Sequence, residues 1–314
     1  VKTQMLRFRT LLLLFPCLAS ALVPLPSLSV RVDRASRTDS ASFPTSHALL
    51  RFSNRYKLDD KECLRGLRGG SSYAQDFSPL LPKALVAEML GTWIIVFLGT
   101  AAVATANFAK AEVAGLLGIA CCWGVAVAGA VSAFAKVSGS HFNPAVSIAL
   151  AWYKGKFATP LTIRSRTWLP LYVLAQLVGA FCASGCVALL YQSSFAALPH
   201  SVAPAAMGCY PSKAFGSAEV FAAEMLGTAL LAFGAISLPS AWQLGAWLAT
   251  LIVVFAPISG ASFNPARELG PRIMSVLMGF DASKVLTPFL PLYIVGPILG
   301  AIIGVWVASV VAKN

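Results

Sequence analysis

The chain has 314 residues, 57% of them hydrophobic and 11% charged, whereas a soluble domain carries roughly 25% charged residues. That leaves too few polar groups to cover a globule in water, which excludes most soluble enzymes and collagen-like repeats and points to a membrane. The net charge of +12 is evenly divided, with twelve Lys and Arg against six Asp and Glu in the first 82 residues and the same numbers after them; this is too dilute for a nucleic-acid surface and suits targeting and membrane orientation.

In chain order, the first element reads as an address. Arg7 and Arg9 precede the apolar run Leu11 to Phe15, and the small residues Ala19, Ser20 and Ala21 follow, the order of a secretory signal. From Leu22 to about Leu58 the chain is rich in Ser and Arg and poor in acids, and it resembles a transit peptide. Together the two parts resemble the plastid address of algae with secondary plastids, with Ala41-Ser42-Phe43-Pro44 near the expected cleavage position. Residues 1–82 are therefore expected to be a targeting or unstructured segment ahead of a membrane domain at 83–311.

Six charge-poor stretches are long enough to cross ~30 Å of hydrocarbon as helices. They lie near Lys83 to Ala106, Val113 to Ala135, Trp168 to Tyr191, Ser217 to Ile236, Ala241 to Ile258 and Thr287 to Val311. Two shorter apolar pieces, Ala145 to Tyr153 and Ala266 to Phe280, each follow a Gly-containing segment and an Asn-Pro pair. A helix of about ten residues rises only ~15 Å, so these read as re-entrant half-helices. Counted that way, Lys136, Lys154, Lys156, Arg164, Arg166 and Lys313 share the side of the N-terminus, and Lys110, Lys213 and Lys284 lie opposite. The positive-inside rule then puts both termini on the cytoplasmic-equivalent side.

The membrane domain is an internal repeat. Ala87-Glu88-Met89-Leu90-Gly91-Thr92 recurs letter for letter as Ala223-Glu224-Met225-Leu226-Gly227-Thr228. Ser138 to Ala145 is matched by Ser259 to Ala266, each ending in Phe-Asn-Pro-Ala. Repeat one covers about 83–191 and repeat two about 215–311. Each holds three spans, an odd number, so the second repeat lies inverted and the two Asn-Pro helix starts meet near the midplane. Asn is a favoured helix cap and Pro a favoured first helical residue, so Asn143 and Asn264 can offer donors to a passing oxygen while the paired helix ends repel cations and protons.

Glu88 and Glu224 lie inside apolar spans, where an isolated charge costs on the order of 2.5–3.5 kcal/mol or more. They read as carboxylates that accept backbone N–H groups of the re-entrant loops, against a proton relay as the other reading. His141 is either a pH gate or a satisfied loop histidine. Arg267 follows the second Asn-Pro-Ala where the first has Val146, an asymmetry that sets one cation at one mouth. The seven cysteines show no metal-ligand spacing and read as small buried packers.

Two Asn-Pro-Ala boxes on inverted three-span repeats, with Arg after the second, resemble the aquaporin or major intrinsic protein family. The resemblance implies an all-α membrane channel that commonly assembles as a homotetramer. It also implies that Asn143, Pro144, Ala145, Asn264, Pro265 and Ala266 line the mid-channel constriction, and that Arg267 belongs to an outer filter completed by Trp123, Ile252 and Ala261. The usual His of water-specific members is absent at Ile252. The set is wider and more apolar and resembles the nodulin-like branch, while Glu268, Gly270, Pro271 and Arg272 resemble the pattern of glycerol facilitators.

The expected function is passive passage of water and small neutral polar solutes: glycerol-like polyols, with urea, ammonia and metalloid acids as further candidates. The alternatives are a water-selective channel and a coupled secondary transporter. No nucleophile set, metal-ligand cluster or cofactor motif points to an enzyme, and the expected partners are the bilayer and the solutes. The localisation expected is a multi-pass protein of an organellar, plastid-type, or secretory-pathway membrane. A reporter fused behind residues 1–81 should enter the secretory route and then a plastid-like organelle by fluorescence microscopy; a cytosolic reporter refutes the address.

Overall fold

The computed structural model describes residues 81–109, 115–153, 168–199, 201 and 204–311. Apart from Leu81 and Pro82, the expected targeting segment lies outside the described residues, as do Lys110, Lys154, Lys156, Arg164, Arg166 and Lys313.

Repeat one comprises α1 (Leu81–Phe108), α2 (Leu116–Ser138), the half-helix α3 (Pro144–Trp152) and α4 (Leu169–Leu190). A short α5 (Gln192–Ala196) and a 3-10 turn (Ala205–Met207) lead to repeat two. It comprises α6 (Ser217–Ser237), α7 (Ala241–Ser259), the half-helix α8 (Pro265–Leu277), a four-residue α9 (Ala282–Val285) and α10 (Leu292–Val311). Six of these, α1, α2, α4, α6, α7 and α10, are long and apolar enough to cross a membrane, with mean hydropathies from 1.7 to 2.3. The half-helices, at 9 and 13 residues, are not.

Two boundaries fall inside the lengths expected, and local chemistry explains both. The second half-helix stops at Leu277 because Gly279 takes φ 93° and turns the chain away. The last span begins at Leu292, behind Pro288 and Pro291, which cannot donate to a preceding helical turn.

Packing repeats with the sequence. In repeat one α1 packs on α2 and α4; in repeat two α6 packs on α7 and α10. Each half-helix then crosses over, α8 resting on α4 and α3 on α10, so neither repeat is complete alone. The repeats also meet where α2 crosses α7. A Cβ on Gly124 would stand 2.4 Å from the Gly245 carbonyl oxygen, and a Cβ on Gly245 equally close to that of Gly124. Such close backbone approach is how helices gain contact where lipid supplies no hydrophobic drive. The outward faces carry Leu174, Val254 and Leu226 exposed, as hydrocarbon-facing helices must.

Four of the five cysteines among the described residues correct the reading of them as buried packers; Cys17 and Cys63 lie outside the described residues. Cys121 and Cys122 are exposed on α2, Cys182 and Cys186 are half-buried, and Cys209 is buried. That reading assumed that water drives small apolar side chains inward, a force missing at a lipid-facing helix surface.

The α2–α7 crossing yields a contrast. Gly124→Leu should cost at least about 1–3 kcal/mol by overpacking against backbone and lower the melting temperature of detergent-solubilised protein. Gly129→Ala on the same helix, where a Cβ meets nothing within 4 Å, should leave it unchanged.

Candidate functional site

The site begins where α2 and α7 end. Gly139 and Gly260 close these helices at φ 88° and 91°, left-handed values that a side chain would strain. The chain stays in that region at Ser140 and Phe142 in one loop and at Ala261 and Phe263 in the other, with φ between 49° and 55°. Left-handed backbone costs a non-glycine residue about 1–2 kcal/mol, so something must hold both loops.

That something is a carboxylate in each repeat. Glu88 Oε1 accepts from the Ser138 hydroxyl at 2.6 Å and the His141 N–H at 3.0 Å, and Oε2 from the Phe142 N–H at 2.7 Å. Glu224 Oε1 accepts from the Ser259 hydroxyl at 2.7 Å and the Ser262 N–H at 2.9 Å, and Oε2 from the Phe263 N–H at 2.8 Å. Hydrogen bonds to a charged group contribute about 1.5–3 kcal/mol each, so three per loop exceed the strain of two residues. Tyr172 and Tyr293 add a bond each, their hydroxyls donating to the carbonyls of Ser138 and Ser259 at 2.9 and 2.5 Å. Both glutamates are fully buried, and neither lines the cavity described below.

The loops deliver the two Asn-Pro starts to each other. Asn143 Oδ1 caps α3 by accepting the Ala145 N–H at 2.9 Å, and Asn264 Oδ1 caps α8 by accepting from Ala266 at 3.0 Å and Arg267 at 3.3 Å. Their amide groups cross over: Asn143 Nδ2 donates to the Phe263 carbonyl and Asn264 Nδ2 to the Phe142 carbonyl, both at 2.8 Å. An amide nitrogen carries two hydrogens. One locks the opposite loop, and the second is available to a molecule beside the pair.

A cavity passes both asparagines. Its lining includes Trp123, Ile252, Ala261 and Arg267, together with apolar wall from Val146, Leu150, Ile236, Leu244 and Val305. Arg267 is 7% exposed, its guanidinium lying 4.7 Å from the centre of the Trp123 ring. Its Nη1 is buried without a hydrogen-bond acceptor. The residues picked out by counting from the boxes thus line one cavity. Pro144, Ala145, Pro265 and Ala266 are buried in the half-helix starts just behind the asparagines.

The two halves differ behind the loops. His141 Nδ1 lies 3.0 Å from the Ser147 hydroxyl, and Gln176 Nε2 donates to both Ser147 and Glu88. In repeat two the position of Ser147 is taken by Glu268, which pairs with Arg272. Sequence reasoning gave no role at the site to Gln176, Tyr172, Tyr293 or Cys209. The tyrosines were within its reach, because each follows its box asparagine at the same interval; Gln176 and Cys209 have no such counterpart.

A family model described as "Major intrinsic protein" matches residues 77–308. The glycerol uptake facilitator protein of Pseudomonas aeruginosa is 34% identical over 72% of this chain and 88% of its own. Aquaporin NIP1-2 of Arabidopsis thaliana is 35% identical over 74% of this chain and 75% of its own. Among solved structures, the aquaglyceroporin from Plasmodium falciparum superposes with a TM-score of 0.62 at 25% identity, over 74% of this chain and 97% of that one.

Replacing Glu224 by Gln turns an amide donor toward N–H groups that need acceptors. The variant should lose more than about 2 kcal/mol, read as a fall in melting temperature by fluorescence-detected size-exclusion chromatography, while Tyr293→Phe should lose about 1 kcal/mol.

Proposed function

The chain belongs to the major intrinsic protein family and is a channel for water and small solutes; on that premise we propose that glycerol-sized neutral polyols are its main solutes. Urea, ammonia and undissociated metalloid acids are small and neutral enough to follow the same path. The observation that carries this reading is the division of the cavity wall. Trp123, Ile252 and Ala261 offer carbon, while Arg267 brings a guanidinium to the wall of the same cavity. A polyol meets both demands at once, its carbon backbone against the apolar side and its hydroxyls against the guanidinium.

Passage is passive and needs no covalent step. A hydroxyl entering the narrow part gives up water partners and takes one from Arg267, then one from each asparagine amide, so no single site holds it long. Protons and cations meet the positive ends of α3 and α8 at the midplane and the fixed charge of Arg267 at the mouth. On this reading Asn143, Asn264 and the four constriction residues act as the filter, and Glu88 and Glu224 act through the loops they hold.

Four copies form the working assembly, in keeping with helices apolar on their outward faces, and each copy conducts through its own cavity. The N-terminal segment directs the chain to an organellar membrane. The first test is stopped-flow light scattering of proteoliposomes challenged with sucrose, glycerol, urea and boric acid; liposomes that swell no faster in glycerol than empty ones overturn the solute assignment. Ile252→His narrows the opening and adds a competing donor. Glycerol permeability should then fall about tenfold or more, and water permeability by about twofold or less, the scale of a changed pocket contact; equal loss of both overturns the filter assignment.

A further inference from the structure

The cavity departs from the symmetry of the repeats at one end. Counted from the Asn-Pro-Ala boxes, Trp123 on α2 corresponds to Leu244 on α7, and Arg267 to Val146. Counted from the recurring Ala-Glu-Met-Leu-Gly-Thr segment, Gly99 on α1 corresponds to Ala235 on α6, and Thr100 to Ile236. Leu150, Ala235, Ile236 and Val305 all line the cavity, whereas their counterparts Pro271, Gly99, Thr100 and Ser184 are buried and do not.

The bulk of one side chain accounts for the difference. The Trp123 indole lies against Gly99, where an added Cβ would stand 2.2 Å from the ring, and the Arg267 guanidinium lies 4.7 Å from the ring's centre. The indole therefore fills the space between α1 and Arg267. At the other end the corresponding side chains are Leu244, Ala235 and Val146, none of them aromatic, and the space is part of the cavity. Ala235 and Ile236 end α6, Leu244 begins α7 just after the turn, and Leu244 stands ~12 Å along that helix from Ile252. Leu150 from α3 and Val305 from α10 complete this chamber, whose five side chains are all hydrocarbon.

We propose that the chamber is a binding site for the alkyl end of a small neutral diol whose hydroxyls sit at the asparagine pair. Each asparagine amide keeps one hydrogen for a molecule beside it, and two adjacent hydroxyls accept both. Leu150 stands ~10 Å along α3 from Asn143, within contact range of a six-carbon chain anchored there. Glycerol carries a hydroxyl on every carbon, so it gains nothing from a hydrocarbon wall and moves on. A 1,2-diol of four to six carbons buries its tail, and each buried methylene strengthens its hold about fourfold. Such a molecule stays and blocks the path instead of passing. The proposal rests on the reading of this cavity as the solute path.

The test uses the full chain in proteoliposomes equilibrated on both sides with 1,2-butanediol, 1,2-pentanediol or 1,2-hexanediol, so that the diol exerts no osmotic force. Water permeability is then read by stopped-flow light scattering against sucrose, and empty liposomes taken through the same series give the bilayer's own response. The concentration that halves the protein's water permeability should fall about fourfold with each added methylene. A concentration independent of chain length overturns the proposal and leaves the path reading standing. A protein that adds no water permeability before any diol is present overturns both. Leu244→Trp combined with Ala235→Gly rebuilds in the chamber the indole-on-glycine packing of the other end. That variant should cut the dependence to less than about 1.5-fold per methylene, since little tail is then buried. A dependence as steep as the parent's shows that the diols act elsewhere and overturns the proposal. If the double variant does not insert or conducts no water, Val305→Phe fills the chamber from α10 and is held to the same two outcomes.

Discussion

The architecture depends on one constraint: non-helical backbone sits at the centre of a membrane that has no water to solvate it. An unsatisfied peptide group in hydrocarbon costs several kcal/mol, and two loops of irregular chain meet at that depth. Glu88 and Glu224 resolve the problem by bringing acceptors to the loop N–H groups, and Tyr172 and Tyr293 bring donors to the carbonyls. The asparagines close the remainder by donating across the two-fold relation to the opposite loop. Because each half satisfies the other's backbone, the pore centre is rigid by necessity. A loop that moved would leave the partner loop unpaired.

The support is symmetric, yet the pore is not, and the difference arises at a few substituted positions. Val146 and Ser147 follow the first box where Arg267 and Glu268 follow the second. At the first, a polar network of Ser147, His141 and Gln176 completes the packing around Glu88. At the second, a charge chain of Arg267, Glu268 and Arg272 runs from the lumen into the protein. An inverted repeat thus gives a frame with equal ends, and charge is added at one end by residues that have no charged counterpart at the other.

What was legible in the sequence follows from how local each signal is. The spans could be read because hydrocarbon thickness demands an uninterrupted apolar run, and the half-helices because theirs were too short. Glu88 and Glu224 stood out as charges inside such runs, and letter-for-letter recurrence tied them to the boxes. The boundaries at Leu277 and Leu292 were less legible, since a glycine turn and two prolines shortened helices that hydropathy alone would extend. Gln176 and Cys209 were invisible for a stronger reason. Their roles are contacts to residues far along the chain, Cys209 with Glu268 and Gln176 with Glu88, and no periodicity marks such pairs. Cys121 and Cys122 depart for another reason: burial of small apolar side chains is a rule of water-soluble folds, and it does not bind a helix whose outer medium is oil.

The buried donor on Arg267 bears on why a channel conducts rather than binds. A guanidinium hydrogen left without an acceptor in a nearly dry site would ordinarily cost several kcal/mol, and the protein offsets part of that with the Trp123 face and the carboxylate at 3.9 Å. Neither contact satisfies the hydrogen in line. That atom is itself shielded from the cavity, so a passing hydroxyl or water meets the rest of a guanidinium that is already partly stabilised. A site with a fully bonded arginine would give passing oxygens nothing to replace the water they shed, and one with a bare arginine would hold them. On the proposed filter reading, a guanidinium already partly stabilised lies between these limits, and a solute that meets it can enter the cavity and leave it along its own gradient.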